Sequence, residues 1–379
     1  SVRVDRHAIE PPQQTAAGHH VPVEIDDADN LERQPESASA VKLQSVRTDA
    51  AALRSLCRTM AAATSEQSGK EVTRLSAVFL ALLLIILPTS GQNHVQTYTY
   101  VSHDSVPLQL DIYRPAPGSQ TTADGVEKPV ILFAFGGGFM SGSRHSPAYL
   151  PWFRTLTENG YHVVSIDYRL GLKGARRMGV AQAGLLHKAI MMGTEDMTDA
   201  TRWLIQNREA LGIGTDRIVL AGSSAGAIIS LQCMYELYNR TEMVKCLPED
   251  FSYAGVISFS GAIFSTRGKI RFRETPCPPL LFHGTADGIV PYGQIKVLWV
   301  GFFGTDKIVE RLDKFGFDHI VYRHLNHGHE ISWHMSDLTE ETLDYLENVV
   351  CRGRTGIIDE QVDSKWIEYA SGKVSDLYR

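Results

Sequence analysis

From Gln92 onward, short runs of β-forming residues alternate with stretches that can form helices, and this alternation restricts the fold more than any other feature. The runs are VQTYTYV, PLQLDIY, PVILFAF, YHVVSIDY, RIVLAG, YAGVISFSG, PPLLFHG and HIVYRHL. The middle runs are apolar at successive positions, as in parallel strands covered on both faces, whereas the first two alternate more and fit an antiparallel edge. The pattern predicts an α/β fold with a mostly parallel eight-stranded sheet and helices on both faces, in one domain over residues 92–379.

The chain before this domain has a different character. Residues 1–59 mix Ala, Gln, Ser, Asp and Arg without a helical or strand period, so we predict that they are unstructured. The first methionine is Met60, which indicates that translation starts there and that residues 1–59 are a non-native upstream leader.

Residues 60–91 have the pattern of a signal peptide. Lys70 and Arg74 precede a run over residues 75–87 that is apolar except for Ser76, and a proline and small residues follow it. The run covers about 20 Å at ~1.5 Å per residue, short of the roughly 30 Å hydrocarbon core of a bilayer. We therefore expect cleavage near Gly91 and a secreted or periplasmic protein; an uncleaved anchor and a buried core helix are the alternatives.

The sequence GSSAG occupies a turn between a predicted strand and a predicted helix. The run RIVLAG ends at Gly222, and a helical pattern begins directly after Gly226. In this context a Gly-x-Ser-x-Gly turn exposes a serine nucleophile at the sheet edge, and the glycines let strand and helix approach closely. Ser224 is the candidate nucleophile, because the neighbouring Ser223 lacks a glycine at the right offset on each side. A tight turn without a catalytic role is the alternative, and the pattern alone does not exclude it.

Three consecutive glycines follow the third β-run. Gly136, Gly137 and Gly138 come directly after PVILFAF, where a glycine-rich backbone can turn its N–H groups toward a bound oxyanion. The N–H of Ala225 would add a further donor from the serine turn. Taken alone a triple glycine is more often a flexible turn, but its place in a chain that also has a serine turn indicates an oxyanion hole.

An acidic residue follows the seventh β-run. Asp287 lies in HGTADGIVPYG, after Ser224 and before the histidines near the end of the chain. The order serine, acid, histidine is the one used when each residue stands at the carboxyl end of a strand in an open α/β sheet. A carboxylate in this place orients an imidazole and stabilises its charged form. The simpler interpretation makes Asp287 a turn residue and His283 a packed strand histidine.

The segment RHLNHGHEISWH contains His324, His327, His329 and His334. A metal hydrolase could use several of them as ligands, but the segment has no aspartate and no second ligand motif stands out elsewhere. With a serine, a glycine loop and an aspartate in order, the segment has to supply only one imidazole. His329 is the predicted base, His327 is its main competitor, and the remaining two are predicted to be a strand residue and a surface or helix-start residue.

Residues from about 93 to 350 resemble the α/β-hydrolase superfamily, and within it secreted carboxylesterases related to the hormone-sensitive-lipase and carboxylesterase groups. The matching pieces are GGGF at 136–139, DYRLG at 167–171, GSSAG at 222–226, HGTADGIVPY at 283–292 and HGHE at 327–330. The resemblance implies an α/β-hydrolase fold, Ser224 as nucleophile, Asp287 as acid, His329 as base, and oxyanion donors at Gly137, Gly138 and Ala225. One departure is Phe135, which stands where many relatives have a histidine and which puts the anchoring of the glycine loop in question.

The predicted activity is that of a serine esterase without a metal or organic cofactor, acting on a small-molecule or polysaccharide-linked ester. A formal charge of −6 without a long basic run argues against a nucleic-acid partner, and no stable membrane span is expected. The five cysteines show no CxxC pair, which leaves free thiols or disulfides open. The alternatives are a serine peptidase of the same fold, which would commonly carry a large accessory domain, and an exported binding protein without activity.

Overall fold

The computed structural model describes residues 95–174 and 183–365, which belong to one compact unit, Asn93–Arg379. The leader predicted for residues 1–59 and the signal peptide predicted for residues 60–91 lie outside the described residues. Within the described ranges, no helix combines the length and the apolarity that crossing a membrane requires. The described ranges include four of the five cysteines, and all four are free thiols.

The described residues form twelve strands and five α-helices. The strands are β1 (Gln96–His103), β2 (Val106–Tyr113), β3 (Val130–Ala134), β4 (His162–Ile166), β5 (Ile218–Ser223), β6 (Gly255–Phe259), β7 (Ala262–Ser265), β8 (Pro279–Gly284), β9 (Gln294–Val297), β10 (Val300–Gly304), β11 (His319–His324) and β12 (Ile357–Val362). The helices are α1 (Leu150–Glu158), α2 (Ala183–Leu211), α3 (Ala225–Leu237), α4 (Thr305–Asp313) and α5 (Thr339–Asp344), which continues as a π-helical segment over Tyr345–Cys351.

Nine of the strands form one sheet in the order β1-β2-β4-β3-β5-β6-β8-β11-β12. All eight predicted runs lie in it, and the predicted antiparallel edge is confirmed, because β2 pairs antiparallel with both β1 and β4 while the other pairs are parallel. The predicted count of eight strands is wrong by one. The additional strand, β12, is an edge strand of sequence IIDEQV that is almost entirely exposed, so it lacks the apolar run by which the others were found.

The five central strands β3, β4, β5, β6 and β8 are buried at every residue, because helices cover both faces of the sheet. On α2, the longest helix, buried residues recur every three or four positions, and this stripe packs against α3. Residues 183–192 form the first turns of α2 as described.

A second, smaller sheet of order β7-β10-β9 was not predicted. Its strands are antiparallel, and β9 and β10 form a hairpin in which Val297 pairs with Val300 across a two-residue loop. Strand β7 begins just after β6 ends, and the hairpin lies between β8 and α4. The strands of the small sheet therefore follow the carboxyl ends of two central strands, β6 and β8.

Candidate active site

Ser224 lies in a sharp turn between β5 and α3. Its backbone has φ 51° and ψ −115°, a strained conformation for a residue with a side chain. The start of α3 lies so close to the end of β3 that a Cβ on Gly226 would lie 1.9 Å from the carbonyl oxygen of Ala134. The Ser224 N–H donates to the carbonyl oxygen of Phe259 at 2.9 Å, which fixes the turn to β6. The predicted strand-turn-helix geometry is therefore present.

The three side chains predicted to form a triad meet in the structure. Ser224 Oγ lies 2.7 Å from His329 Nε2, and His329 Nδ1 lies 2.7 Å from Asp287 Oδ2. In the tautomer with its proton on Nδ1, the imidazole donates to the carboxylate and accepts from the serine hydroxyl. Asp287 follows β8, and His329 begins a 3₁₀ turn after β11, so that loops at the same sheet edge supply all three residues. The arrangement can remove the proton of the Ser224 hydroxyl.

The carboxylate of Asp287 is held ionised in a buried place. Burial opposes its charge, but hydrogen bonds from His283 and His329 outweigh burial and keep the pKa of Asp287 well below its usual range. Its Oδ1 accepts the backbone N–H groups of Ile289 and Val290, at 2.9 and 3.1 Å. A fixed carboxylate of this kind holds the imidazole in one orientation.

His283 is more than the packed strand histidine that the simpler interpretation makes it. The ring is fully buried; its Nε2 donates to the carbonyl oxygen of Val290 at 3.1 Å and lies 3.3 Å from Asp287 Oδ2. Its Nδ1 lies 2.8 Å from Thr305 Oγ1, which supplies a proton to it. His283 therefore supports Asp287 at Oδ2, the same oxygen that His329 contacts. Its place in HGTADG, four residues before the aspartate, was the available sequence signal.

The glycine loop, residues 136–138, contains N–H groups that can bond to atoms outside the loop backbone. Gly137 has φ 140°, and a Cβ there would lie 2.0 Å from the carbonyl oxygen of Ser141, so that only glycine fits. The N–H of Gly136 is already used, because it donates to Tyr149 Oη at 2.8 Å. The candidate donors are therefore Gly137 and Gly138 in the loop, and Ala225 in the first turn of α3, where N–H groups have no partner within the helix.

Two tyrosines anchor the loop at the place where many relatives have a histidine. The ring of Phe135 stacks on that of Tyr168, with centroids 4.4 Å apart, and Tyr168 Oη donates to the carbonyl oxygen of Phe135 at 2.9 Å. Tyr149 Oη accepts the N–H of the next residue, Gly136. Burial raises the pKa of the Tyr149 phenol, which stays neutral. The question raised by Phe135 is thus answered by side chains from other parts of the chain.

We expect Tyr149→Phe to lower kcat/KM for p-nitrophenyl acetate about tenfold while the protein stays folded. The substitution leaves the buried N–H of Gly136 without its acceptor, a loss typically worth about 1–3 kcal/mol, and loosens the loop that carries the candidate donors. Tyr345→Phe is the matched control, since its equally buried phenol donates to the carbonyl oxygen of Pro278, away from the triad. Equal turnover in the two variants would show that Tyr149 does not position the loop.

The remaining histidines of RHLNHGHEISWH have other partners. His327 Nε2 donates to the carbonyl oxygen of Ser364 at 2.9 Å, and its Nδ1 lies 3.0 Å from Glu330 Oε1. His324 Nδ1 lies 2.6 Å from the Ser364 hydroxyl, and burial lowers the pKa of His324 to about 4. His334 pairs with the carboxylate of Asp337. Across residues 95–174 and 183–365, no three His, Cys, Asp or Glu side chains gather as a metal site would require.

A mostly parallel sheet in this strand order, with a serine turn after β5, an aspartate after β8 and a histidine after β11, defines the α/β-hydrolase fold. The described residues of this chain have that fold. Comparison with known families agrees, because the BD-FAE family model matches residues 110–263, from β2 through the serine turn to β7.

Individual relatives match over shorter stretches. Esterase B1 of Culex pipiens is 37% identical over 99 residues, which is 26% of this chain and 17% of that protein. Ethyl acetate hydrolase of Pseudomonas putida is 26% identical over 149 residues, 39% of this chain and 41% of that protein. The chain thus spans less than half the length of either curated relative. The apo form of Thermogutta terrifontis esterase 2 superposes with a TM-score of 0.49 and 21% identity, over 71% of this chain and 99% of that one.

Proposed function

We propose that this protein is a serine carboxylesterase, which hydrolyses esters through an acyl-enzyme. The observation that carries the proposal is the continuous hydrogen-bonded chain from Ser224 through His329 to Asp287, built on the strained serine turn. The same three residues in the same order serve acyl transfer on this fold. The relatives named as an esterase and as an ethyl acetate hydrolase support an ester as the substrate.

The geometry supports a two-step reaction. Ser224 Oγ attacks the ester carbonyl carbon while His329 Nε2 takes its proton, and Asp287 stabilises the resulting imidazolium. The N–H groups of Gly137 and Ala225 are among the candidate donors to the oxyanion, each typically worth about 3 kcal/mol in the transition state. His329 then gives its proton to the leaving alcohol, which departs.

Water completes the cycle on the acyl-enzyme. His329 takes a proton from a water molecule while the water oxygen attacks the acyl carbon. It then returns that proton to Ser224 Oγ as the carboxylic acid leaves. His329 accepts and then donates the proton in each of the two steps, so the mechanism needs no other acid or base from the described residues. A small ester is the proposed substrate class, with ester-linked groups on polysaccharides as a second source of the same bond.

We expect a fluorophosphonate probe to label the protein at Ser224, in the presence or absence of a chelator. The probe reacts with a serine hydroxyl only where a base has activated it, so labelling reports the working triad directly. Mass spectrometry of the labelled peptide identifies the residue. A protein that hydrolyses p-nitrophenyl acetate without being labelled, or that loses turnover to a chelator and regains it with zinc, would point to a metal hydrolase. A protein with neither labelling nor turnover would be a binding protein.

We also propose, on the sequence pattern alone, that the segment 60–91 directs export. N-terminal sequencing of the mature protein provides the measurement, and a mature chain beginning near Gln92 is the expected result. A mature chain that still contained the apolar run 75–87 would contradict cleavage.

A further inference from the structure

The β9–β10 hairpin carries the most exposed large apolar side chains of the described residues. Its loop consists of Leu298 and Trp299, which are 73% and 63% exposed, and Ile295 and Val297 on β9 are 58% and 52% exposed. Soluble proteins rarely leave such a contiguous apolar group in water unless it binds something.

The hairpin loop is also unusual in its sequence. Two-residue hairpin loops are normally formed by Asn, Asp or Gly, because those residues tolerate positive φ. Here Leu298 takes φ 53° and Trp299 follows it. A large apolar residue, Leu298, therefore occupies a strained position that does not suit it, and most of the surface of both loop side chains stays exposed. This choice of residues indicates a role outside the fold.

Cations lie beside the apolar loop. Lys296 alternates with Ile295 and Val297 along β9, so it faces the opposite side of the strand. That side meets the turn after β7, where Gly268 N–H donates to the carbonyl oxygen of Trp299 and where Arg267 and Lys269 are exposed. Within the described part of the chain, no ion pair joins these three cations to a carboxylate.

The local charge is opposite to that of the whole chain. Residues 262–273 and 288–304 together contain five cations and no carboxylate, whereas the formal charge of the chain is −6. The hairpin and the adjoining turn 266–269 thus form an apolar tip flanked by positive charge, which we call the cationic hairpin. This combination is typical of segments that lie at the surface of anionic lipid.

We propose that the cationic hairpin docks the protein on an anionic lipid surface. Leu298 and Trp299 enter the interface, and Lys296, Arg267 and Lys269 contact the phosphate headgroups. A second copy of the chain fits less well, because a two-fold contact would set the same cations against each other. A purely polyanionic partner would use the cations but leave the apolar tip in water. Only a lipid surface uses both features.

The position of the cationic hairpin relates it to the candidate active site. The strands of the small sheet follow β6 and β8 in the chain. The last residue of β6, Phe259, accepts the N–H of Ser224, and Asp287 comes directly after β8. The cationic hairpin therefore lies at the carboxyl-terminal ends of the parallel strands, where the triad also lies. The docking itself does not depend on ester hydrolysis, so it can be measured even if the proposed activity is absent.

The experiment is sedimentation of the full chain with vesicles of phosphatidylcholine alone or of equimolar phosphatidylcholine and phosphatidylglycerol. We expect stronger binding to the anionic vesicles than to the neutral ones, and salt should reduce this difference. The triple variant Lys296→Gln, Arg267→Gln, Lys269→Gln should bind roughly 100-fold more weakly, and the double variant Leu298→Ser, Trp299→Ser about tenfold or more. The run 75–87 is present in every variant, so it contributes equally to each.

Ile357→Ser, Ile358→Ser is the matched control, because it removes two exposed apolar side chains from the edge strand β12. It should bind like the parent chain, and thermal melting should show that all variants are folded. Equal binding to both kinds of vesicle, or no effect of the hairpin variants, would overturn the proposal. Heparin binding that survives Leu298→Ser, Trp299→Ser without vesicle binding would indicate a polyanion instead. A dimer that the double variant abolishes, again without vesicle binding, would indicate self-association.

Discussion

Ser224→Ala is expected to lower kcat/KM for p-nitrophenyl acetate by roughly 10⁴-fold or more, the size of loss typical when the nucleophile of a triad is removed. The hydroxyl lies 2.7 Å from His329 Nε2, and no other hydroxyl group occupies that place among the described residues. Alanine keeps the backbone of the turn and deletes only the attacking atom. Turnover is measured with excess substrate and corrected for spontaneous hydrolysis, and thermal melting checks the fold.

Ser223→Ala is the control for this prediction. Ser223 is the adjacent residue and equally buried, but its Oγ donates to the carbonyl oxygen of Ser332 at 2.6 Å and does not reach His329. We expect this variant to retain turnover within about tenfold, since the loss is one neutral hydrogen bond. The proposed mechanism would be wrong if Ser224→Ala kept more than a small part of the parent activity, or if the two variants were impaired equally.

The second large effect separates two histidines that stand two residues apart. His329→Asn should reduce kcat/KM by roughly the same factor as Ser224→Ala, because the serine then has no base. His327→Asn should keep turnover within about tenfold but lower the melting temperature, because the imidazole holds Ser364 and Glu330 in a buried place and each lost bond costs about 1–3 kcal/mol. The measurements are kcat/KM and thermal unfolding for both variants.

The two profiles should be opposite: activity lost with stability kept in one variant, stability lost with activity kept in the other. A large loss of turnover in a well-folded His327→Asn variant would move the role of base to that residue. A parent-like pH profile for His329→Asn would lead to the same conclusion.

Much of this fold is predictable because its central strands are buried on both faces. Strands such as β3 and β5 have to be apolar at successive positions, and that pattern is readable without any neighbour. The meeting of Ser224, Asp287 and His329 is predictable for a related reason. Parallel strands end at one edge of the sheet, so residues that follow three such strands converge.

The features that were missed depend on partners distant in the sequence or on exposed segments. Strand β12 is held by backbone pairing with β11 at an edge, where its side chains carry no burial pattern. The anchoring of the glycine loop depends on Tyr149, and no local pattern distinguishes a phenol that reaches a backbone N–H from one that fills the core. The β9–β10 hairpin has exposed apolar residues at its tip, which contradicts the usual rule that turns are polar.

Ser364 sets a limit on how far the chain can be shortened at its C-terminal side. The resemblance to esterases ends near residue 350, so trimming by similarity would stop there and would remove β12 together with Ser364. Yet the Ser364 hydroxyl hydrogen-bonds His324 and the Ser364 carbonyl oxygen hydrogen-bonds His327. These two histidines lie at the start and in the middle of the segment that leads to His329. The folded unit that carries the triad therefore extends at least to residue 364, because the stretch that similarity would discard contains the residue that fixes the histidine loop.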